Sequence, residues 1–582
     1  MWTIHRYGRI AAAVALLATA TVVAQAQDTP PSVQQLMQEN KQLMQELDAF
    51  KASMNAKMQE LEDKIQAANA AAAAAKAQSE AAQAQSAAAK GQSDEAKKEA
   101  DATAVKTANA VTVSEKLSQG RLQIGHTNIF FNGWVEGSMG YRKHDELAGP
   151  SQTSVLSPYP VQAQYGAQEF EAGPPQTRFG INTISDESRN IILRSKLEFD
   201  LLSGSNAANT ANGSSYTPRL RHAWAVLDDA KTGWHFEIGQ GYSLTIPNGS
   251  LVGADGSAPA NVGWKLLPGS EVITQPDDGV IMGLGTTRSV QFRVVKEIAR
   301  NAAVAVSLEN NIVTWGGDKG SGLGTAPYPK PVYSQASYSS SSLFTSFGNM
   351  PDVIGKVGWD PTTRYHFEAW GILRQYRDRS GPAATYNNVS GSGAVYTGGG
   401  NIGTYTKVIP TKLDFHAGLG YGSFGTVIDS AIPDVTYDST GKPVPIMDNY
   451  LFGEFIAHPN RNLDIYFQSG VERGFRAGVN AGATTANAYG YGNPFGAGAT
   501  GNAACMVQST SSLTATCQQD TQIAWNYSIT PDWRPINTKT HGHLDFMPQV
   551  EYVARRVWKD QYGYAPRTSN VAIDICFRYW PF

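Results

Sequence analysis

Short segments in which apolar and polar residues alternate recur along about 450 residues of the chain, starting after Gly120. In the segment FNGWVEGSMGYR, Phe131 and Val135 fall on one face and Glu136 on the other. The segment NIILRSKLEFDLL repeats the pattern, with leucines on one face and charged residues on the other. A period of two residues is typical of a β-strand, whose successive side chains point to opposite sides. The sequence therefore predicts many strands, each with one apolar and one polar face.

The number of such segments indicates a membrane barrel and not a soluble sheet. A soluble sheet covers its apolar face with a second layer, and little sequence is left over to form one. In a transmembrane barrel the apolar face contacts lipid and the polar face lines a watery lumen. Charged residues make up only 17% of the chain, and it contains 57 Gly and 25 Tyr, which suits strands, turns and aromatic belts. We expect an all-β transmembrane barrel in the bacterial cell outer membrane, in contact with outer membrane lipid.

The strands can be counted because short periplasmic turns alternate with long external loops in such barrels. Two predicted strands, 411–422 and 448–458, come out with the same orientation, so a further strand is expected within 423–447. The total is then about 16 antiparallel strands, and a count of eighteen remains open. The predicted strands are 128–142, 177–184, 190–202, 218–228, 233–243, 288–297, 302–311, 351–360, 364–377, 411–422, 448–458, 462–476, 520–530, 543–557 and 569–582.

The N-terminal part has a different organisation. Residues 1–26 combine basic residues, a short apolar stretch and a small-x-small site, which predicts a secretory signal peptide; a membrane anchor is the alternative. Residues 31–118 predict an N-terminal α-helical coiled coil in the periplasm, because apolar residues recur at steps of three and four from Val33 to Met54. From Ala67 this segment is rich in alanine, and it is either a thin continuation of the coil or a disordered linker. The barrel is expected to occupy 128–582.

A barrel of about sixteen strands leaves an aqueous channel along its axis. The long connection at about 244–287 resembles the loop of general porins that folds into the lumen and narrows it, although an external surface loop is the alternative. The acidic residues of this connection are constriction candidates: Asp255, Glu271, Asp277 and Asp278.

Five cations fall on the inward faces of the second to fourth strands: Arg178, Arg194, Lys196, Arg219 and Arg221. The run PRLRHAWAV is expected to place Leu220, His222 and Trp224 on the opposite face from the last two arginines. Such cations could create a transverse field against the acidic loop or a track for anions. A salt-bridged wall is the alternative, because Glu198 and Asp200 lie on the same face as the cations.

Three further features are predicted from short motifs. Cys505 and Cys517 flank a loop, and in an exported protein this spacing favours one disulfide, with two free thiols as the alternative; Cys576 is expected to be buried. In the final segment DICFRYWPF, Tyr579 and Trp580 are expected in an aromatic girdle at the membrane interface. Phe582 resembles the C-terminal aromatic residue that the outer-membrane barrel assembly machinery recognises, and the ladder is expected to end at Trp580 because proline follows it.

Other classes of function find little support. A net charge of −3 does not suggest a nucleic-acid partner. No nucleotide-binding loop or nucleophile motif is present in the sequence, so we expect no enzyme activity and no cofactor. His541 and His543 could share one strand face, but a polar strand start is favoured over a metal site.

The order of the segments FNGWVEGSMGYR, TRFGINTIS, RLRHAWAVL, EIGQGYS and MPDVIGKVGWD resembles the DcaP-like outer-membrane porins over most of the chain after the signal peptide. The resemblance implies a homotrimer of sixteen-stranded barrels, a periplasmic coiled coil and an arginine-lined eyelet that favours anionic, dicarboxylate-type solutes. Arg178, Arg194, Arg219 and Arg221 are the matching eyelet candidates. The Ala-rich segment is longer than the family pattern, and the loop around the two cysteines is larger.

Taken together, these features predict a porin for passive diffusion of small hydrophilic solutes, with a leaning toward anions. The alternative is a structural protein whose helical rod tethers the outer membrane to the cell wall, which would make peptidoglycan a partner. The length of residues 31–118 motivates this second hypothesis.

Overall fold

The structure is a computed structural model of the 582-residue chain. It describes Gln59 and residues 121–146, 157–186, 190–202, 216, 218–229, 231–249, 266–267, 281–319, 350–377, 394–428, 430–439, 442–485, 488–508, 517–538 and 542–581. The predicted signal peptide and the predicted coiled coil therefore lie outside the described residues, except for Gln59. Among the described residues, none belongs to a helix that combines the length and the apolar character needed to cross a membrane.

Sixteen antiparallel strands, each hydrogen-bonded to the next, form one closed barrel in the described part of the chain. The barrel closes where the first strand pairs with the last, from Val135 opposite Tyr579 to Arg142 opposite Ala572. The predicted fold class is confirmed for the barrel. The strands are β1 Thr127–Arg142, β2 Arg178–Asp186, β3 Ile191–Asp200, β4 Arg219–Asp229, β5 Trp234–Tyr242, β6 Arg288–Ala299, β7 Ala302–Glu309, β8 Asp352–Thr362, β9 Tyr365–Arg377, β10 Ala394–Ile409, β11 Leu413–Gly422, β12 Asp448–Asn460, β13 Leu463–Gly474, β14 Thr521–Thr538, β15 Gly542–Val557 and β16 Arg567–Trp580.

The prediction of a strand within 423–447 is wrong. The sixteenth strand, which the alternation did not reveal, is β10. Strand β10 pairs with β9 on one side and β11 on the other, so β11 and β12 have opposite orientations without any strand between them. Its sequence AVYTGGGNIGTYTKVI contains four glycines, which blur the alternation on which the prediction relied. Residues 423–447 instead contain a short 3₁₀ turn, Gly425–Ile428, and a small hairpin of Val435–Tyr437 with Pro443–Pro445.

Each edge of strand β1 pairs with two different strands, one along its first half and the other along its second half. Its first half pairs with β2 and with the short strand Arg121–Ile124. Its second half pairs with the short strand Glu169–Gly173 and with β16. The two short strands therefore continue the positions of β16 and β2 in the wall, so that both edges of the long strand β1 are hydrogen-bonded.

The outer and inner faces of the barrel differ as the alternation predicts. In β1, Val135 is 60% exposed, whereas Glu136 is 3% exposed. In β3, Leu193 and Leu197 are exposed, and Asp200 is fully buried. Outward side chains are thus mostly apolar and inward ones mostly polar, which is the arrangement that a lipid surround and a wet interior favour.

A bulge in β4 places two residues on the opposite face of the strand from the one predicted. Glu198 of β3 pairs with His222, but the next residue, Phe199, pairs with Leu220, so Arg221 is an extra residue in β4. Such a bulge shifts the side-chain alternation by one position. As a result His222 and Trp224 are buried on the inner face with Arg221, not on the opposite face, whereas Leu220 is exposed as expected.

The last strand ends at Trp580, as expected from the proline that follows it. Tyr579 is 43% exposed on the outer face. Trp580 is not part of an outer girdle, because its ring contacts Trp134 and His543 and its Nε1 donates to Asp545, which is an inward residue. Phe582 lies outside the described residues, so its predicted role in recognition by the assembly machinery stays a prediction.

Candidate functional site

The five predicted cations lie together on the inner surface of β2, β3 and β4. Four of them form ion pairs with carboxylates of the same wall, which is the arrangement that the salt-bridged-wall alternative describes. The pairs are Arg194 with Asp228 at 2.5 Å, Lys196 with Glu198 at 2.8 Å, Arg219 with Asp200 at 2.6 Å, and Arg221 with Glu198 at 3.0 Å and Asp200 at 2.8 Å. Four of the cations thus share three carboxylates, and Arg178 adds a fifth positive charge, so this patch retains a positive surplus.

Arg178 is the exception among these five cations. Its guanidinium lies over the Trp134 ring, with Cζ 4.3 Å from the ring centroid, and its Nη2 is 3.5 Å from Oε1 of Gln176. Within the described part of the chain it has no ion pair, and its buried Nε has no hydrogen-bond partner. Stacking on an indole satisfies a guanidinium only in part. The guanidinium of Arg178 is therefore less completely satisfied than those of the other arginines in the patch.

A second cation of this kind, Arg288, was missed from the sequence. It begins β6, and its Cζ is 5.6 Å from the ring centroid of Tyr242, its partner in the ladder. No described carboxylate forms an ion pair with it, and its charge interacts with those of Arg221, Arg219 and Asp200. Alternation along β6 would place Arg288 on the outer face with Val290, but Arg288 interacts with the inward residues Arg221 and Asp200.

The connection between β5 and β6 begins beside these arginines. The hydroxyl of Tyr242 accepts a hydrogen bond from Arg221, at 3.0 Å, and its carbonyl accepts one from Arg293, at 2.6 Å. Arg293 also donates to the carbonyl oxygen of Leu266, at 2.9 Å. The arginine patch and the base of the connection therefore share hydrogen-bonded residues.

The described parts of the connection contact inward residues of distant strands. Near its start, Lys356 of β8 donates to the carbonyl oxygen of Ile246, at 2.7 Å. Near its end, the backbone N–H of Met282 donates to Asn526 of β14, at 3.1 Å. Both ends of the connection thus lie against the inner wall. The four acidic constriction candidates, Asp255, Glu271, Asp277 and Asp278, lie outside the described residues.

An apolar core fills part of the interior between this connection and the wall. It includes Leu266, Leu267 and Leu284 of the connection. These residues pack among inward side chains of β4, β6–β9 and β12, which are apolar where a watery lumen would favour polar ones. The wall members are Trp224, Val226, Val295, Ala303, Ala305, Ile354, Trp370, Ile372, Tyr450 and Phe452. The sequence signal for this core was present as strands that are apolar on both faces, such as AAVAVSLE.

Cys505 and Cys517 are joined by a disulfide, with their Cα atoms 4.7 Å apart. Cys505 is buried against Tyr159 and Val557, and its carbonyl accepts the N–H of Val161, at 3.0 Å. Burial raises the pKa of Tyr159, which lies in the connection between β1 and β2, to about 12. The disulfide loop therefore packs on a neighbouring external connection. Cys576 is buried, as expected, and lies outside this disulfide.

No cluster of three or more His, Cys, Asp or Glu side chains suited to a metal ion occurs among the residues that the structure describes. His543 stacks on Trp580, with ring centroids 5.0 Å apart, and His541 lies outside the described residues.

Among known proteins, this chain is similar to solved structures of porins, and the similarity is one of structure. No protein-family model and no curated protein matches the chain. The outer membrane channel DcaP of Acinetobacter baumannii aligns at 14% identity and a TM-score of 0.46, over 78% of this chain and 99% of the other. An anion-selective porin from Comamonas acidovorans aligns at 9% identity and a TM-score of 0.40, over 78% and 99%. OmpF of Salmonella typhi aligns at 9% identity and a TM-score of 0.39, over 79% and 100%. The chain is thus similar to outer-membrane channels at a level too low to transfer any function.

Proposed function

We propose that this protein is an outer-membrane porin, a channel for passive diffusion of small hydrophilic solutes. The observation that carries the proposal is a barrel closed by β1 and β16, apolar outside and charged inside. A closed barrel leaves no unpaired strand edge, which is the condition for a sheet to span lipid. A polar inner face in a barrel of sixteen strands allows water and small solutes to cross.

The channel is proposed to prefer anions, of the dicarboxylate type. Two features support this preference: the cation surplus on β2–β4, and the two arginines without ion pairs, Arg178 and Arg288. A cation that is not held in an ion pair attracts mobile anions more strongly than a paired one, because its field is less completely compensated. Two such cations at one patch suit a solute with two carboxylates, as the resemblance to DcaP-like porins also implies.

The remaining parts of the proposal concern assembly. The protein is proposed to be a homotrimer in outer membrane lipid, delivered by the barrel assembly machinery, with residues 31–118 forming a coiled coil in the periplasm. These features rest on the sequence pattern and on the family resemblance, and size measurement of the full chain in detergent tests the trimer directly.

The test of channel function is electrical. The purified protein, inserted into planar bilayers, should give discrete conductance steps, and a salt gradient should give a reversal potential of the sign that anion preference requires. A protein that inserts but does not conduct would refute the porin proposal. Conduction with a cation-selective reversal potential would refute only the anion preference.

A structural tether is the second candidate, and the length of residues 31–118 favours it. If this segment binds peptidoglycan, a chain that lacks it should insert normally but leave the envelope fragile and fail to bind isolated cell-wall sacculi. If deletion changes only the stability of the oligomer, the segment serves assembly and not tethering.

A further inference from the structure

The connection between β11 and β12 also folds inside the barrel. We call its described residues 423–428 and 430–434 the inner turn. Its apolar anchor is Phe424, which is fully buried and packs edge-on against the rings of Trp370 and Tyr450, with centroids 5.3 and 5.4 Å apart. Since Trp370 and Tyr450 face inward from β9 and β12, the inner turn lies against the inner wall.

A buried ion pair fixes the other end of the inner turn. Arg374 of β9 has no exposed surface and pairs with Asp434 of the turn and with Asp352 of β8. Asp434 also accepts hydrogen bonds from Thr314, whose backbone N–H is 2.8 Å away, and from Thr426. Buried charges with this many partners are costly to separate, so the inner turn is held by the wall as a defined structure.

One side chain holds the inner turn and the β5–β6 connection at the same time. Glu472 of β13 is 1% exposed, and its Oε1 accepts the backbone N–H of Gly283 at 2.8 Å. Its Oε2 accepts the hydroxyl of Ser430 at 2.8 Å and the backbone N–H of Ala431 at 3.0 Å. The two oxygens of one carboxylate are therefore divided between two segments that are far apart in sequence.

The two segments also touch one another directly. The hydroxyl of Thr287 donates to the carbonyl oxygen of Thr426, at 2.8 Å. A Cβ added at Gly285 would lie 2.7 Å from the Cα of Ile428, so the two backbones pack without room for a side chain. On the wall side, a Cβ at Gly470 would lie 2.2 Å from the carbonyl oxygen of Met282. The close packing leaves little freedom for either segment to move alone.

We propose that the inner turn is a second constriction element, coupled to the β5–β6 connection as one unit, with Glu472 as the positioning residue. This inference rests on the proposed function, since a constriction matters only in a channel. A consequence is that the width of the pathway is set by two connections jointly. Loss of the Glu472 carboxylate should therefore increase the mobility of both the inner turn and the end of the β5–β6 connection.

The experiment compares Glu472→Gln with Glu454→Gln in the full chain. Glu454 of β12 is also a buried inward carboxylate, but it accepts from Gln468 of the wall, at 2.7 Å, and lies 3.5 Å from the ring of His416, also of the wall. Both changes remove one negative charge from the lumen, and the first also removes an acceptor that holds both segments. Hydrogen–deuterium exchange of peptides covering 281–287 and 430–434 should accelerate by roughly tenfold or more in Glu472→Gln. Single-channel current should also become larger or noisier. Equal behaviour of the two variants would overturn the proposal.

A milder variant tests the coupling if Glu472→Gln does not fold. Ser430→Ala removes one hydroxyl of the inner turn. Among the described contacts, this hydroxyl bonds to Glu472 and to the N–H of Ile432, and not to the β5–β6 connection. Coupling predicts faster exchange in the 281–287 peptide of this variant as well. An effect confined to residues near 430 would show two independent segments. Hydrogen–deuterium exchange can be measured whether or not the protein conducts. A non-conducting wild type would therefore refute the porin proposal, whereas the exchange rates would still test the coupling of the two segments.

Discussion

Two regions of the inner wall follow the same strand alternation but carry opposite chemistry. On β2–β4 the inward residues are mainly ionised, and two nearby arginines, Arg178 and Arg288, have no described ion pair. From β6 to β9 and at β12, many inward residues are apolar, such as Val295, Ile354 and Phe452. The charged region is held mainly by ion pairs within the wall, whereas the apolar region packs against described residues of the β5–β6 connection and against the inner turn. Strand alternation therefore determines which side chains point inward. Inward side chains are apolar where an inner segment packs on them and charged where none of the described segments does.

The largest expected effect comes from the covered region. Phe424→Ala should lower the free energy of unfolding by about 3–5 kcal/mol, because it empties a fully buried site between two aromatic rings. Urea unfolding in detergent, followed by tryptophan fluorescence, measures the loss. Phe292→Ala on the outer face is the matched control, since Phe292 is 44% exposed. Similar losses for the two variants would mean that Phe424 is not part of a packed interior.

The next effect concerns the charged region. A unit charge about 6 Å from an ion in water contributes about 0.7 kcal/mol, which is roughly threefold in ion population. Arg178→Gln combined with Arg288→Gln should therefore lower the anion-to-cation permeability ratio by several-fold, as read from reversal potentials. The control is Arg194→Gln, because Arg194 is paired with Asp228. We expect a smaller selectivity change there, and a larger change for Arg194 than for the double variant would contradict the proposed role of the unpaired arginines.

A smaller effect should appear at the external edge, where Asp520 is buried beside the first residue of β14. Burial raises the pKa of Asp520 to about 7. Its protonated form is thus favoured by folding, and this contribution to stability is complete below about pH 4, the unfolded pKa, and is lost as the pH rises to 7. Asp520→Asn cannot ionise and keeps an acceptor for the N–H of Gly492. Its melting temperature should match that of the wild type near pH 4 and exceed it at pH 8. A pH-independent difference would show that ionisation of Asp520 is not involved.

The sequence predicted the barrel well because alternation is a local property of each strand. It failed where other constraints act. Glycines of β10, such as Gly399, replaced the side chains that carry the alternation, and a Cβ at Gly399 would lie 2.6 Å from the Phe424 ring. The bulge at Arg221 shifts the alternation by one residue, and Arg288, at the start of β6, also departs from it. The ion pairs and the interior core depend on neighbours that are distant in sequence, and no local pattern specifies them.

The route by which the barrel closes has a consequence for the order of assembly. The seam joins residues at opposite ends of the barrel sequence: Arg578 and Glu136, which share a hydrogen bond, are 442 positions apart. The two inner segments, in contrast, contact mainly strands from the middle of the chain, and Gly283 and Glu472 are 189 positions apart. Contacts of shorter separation form more readily during folding. The interior can therefore be packed while the wall is still an open sheet, and the final pairing of β1 with β16 then encloses segments that would be difficult to insert afterwards.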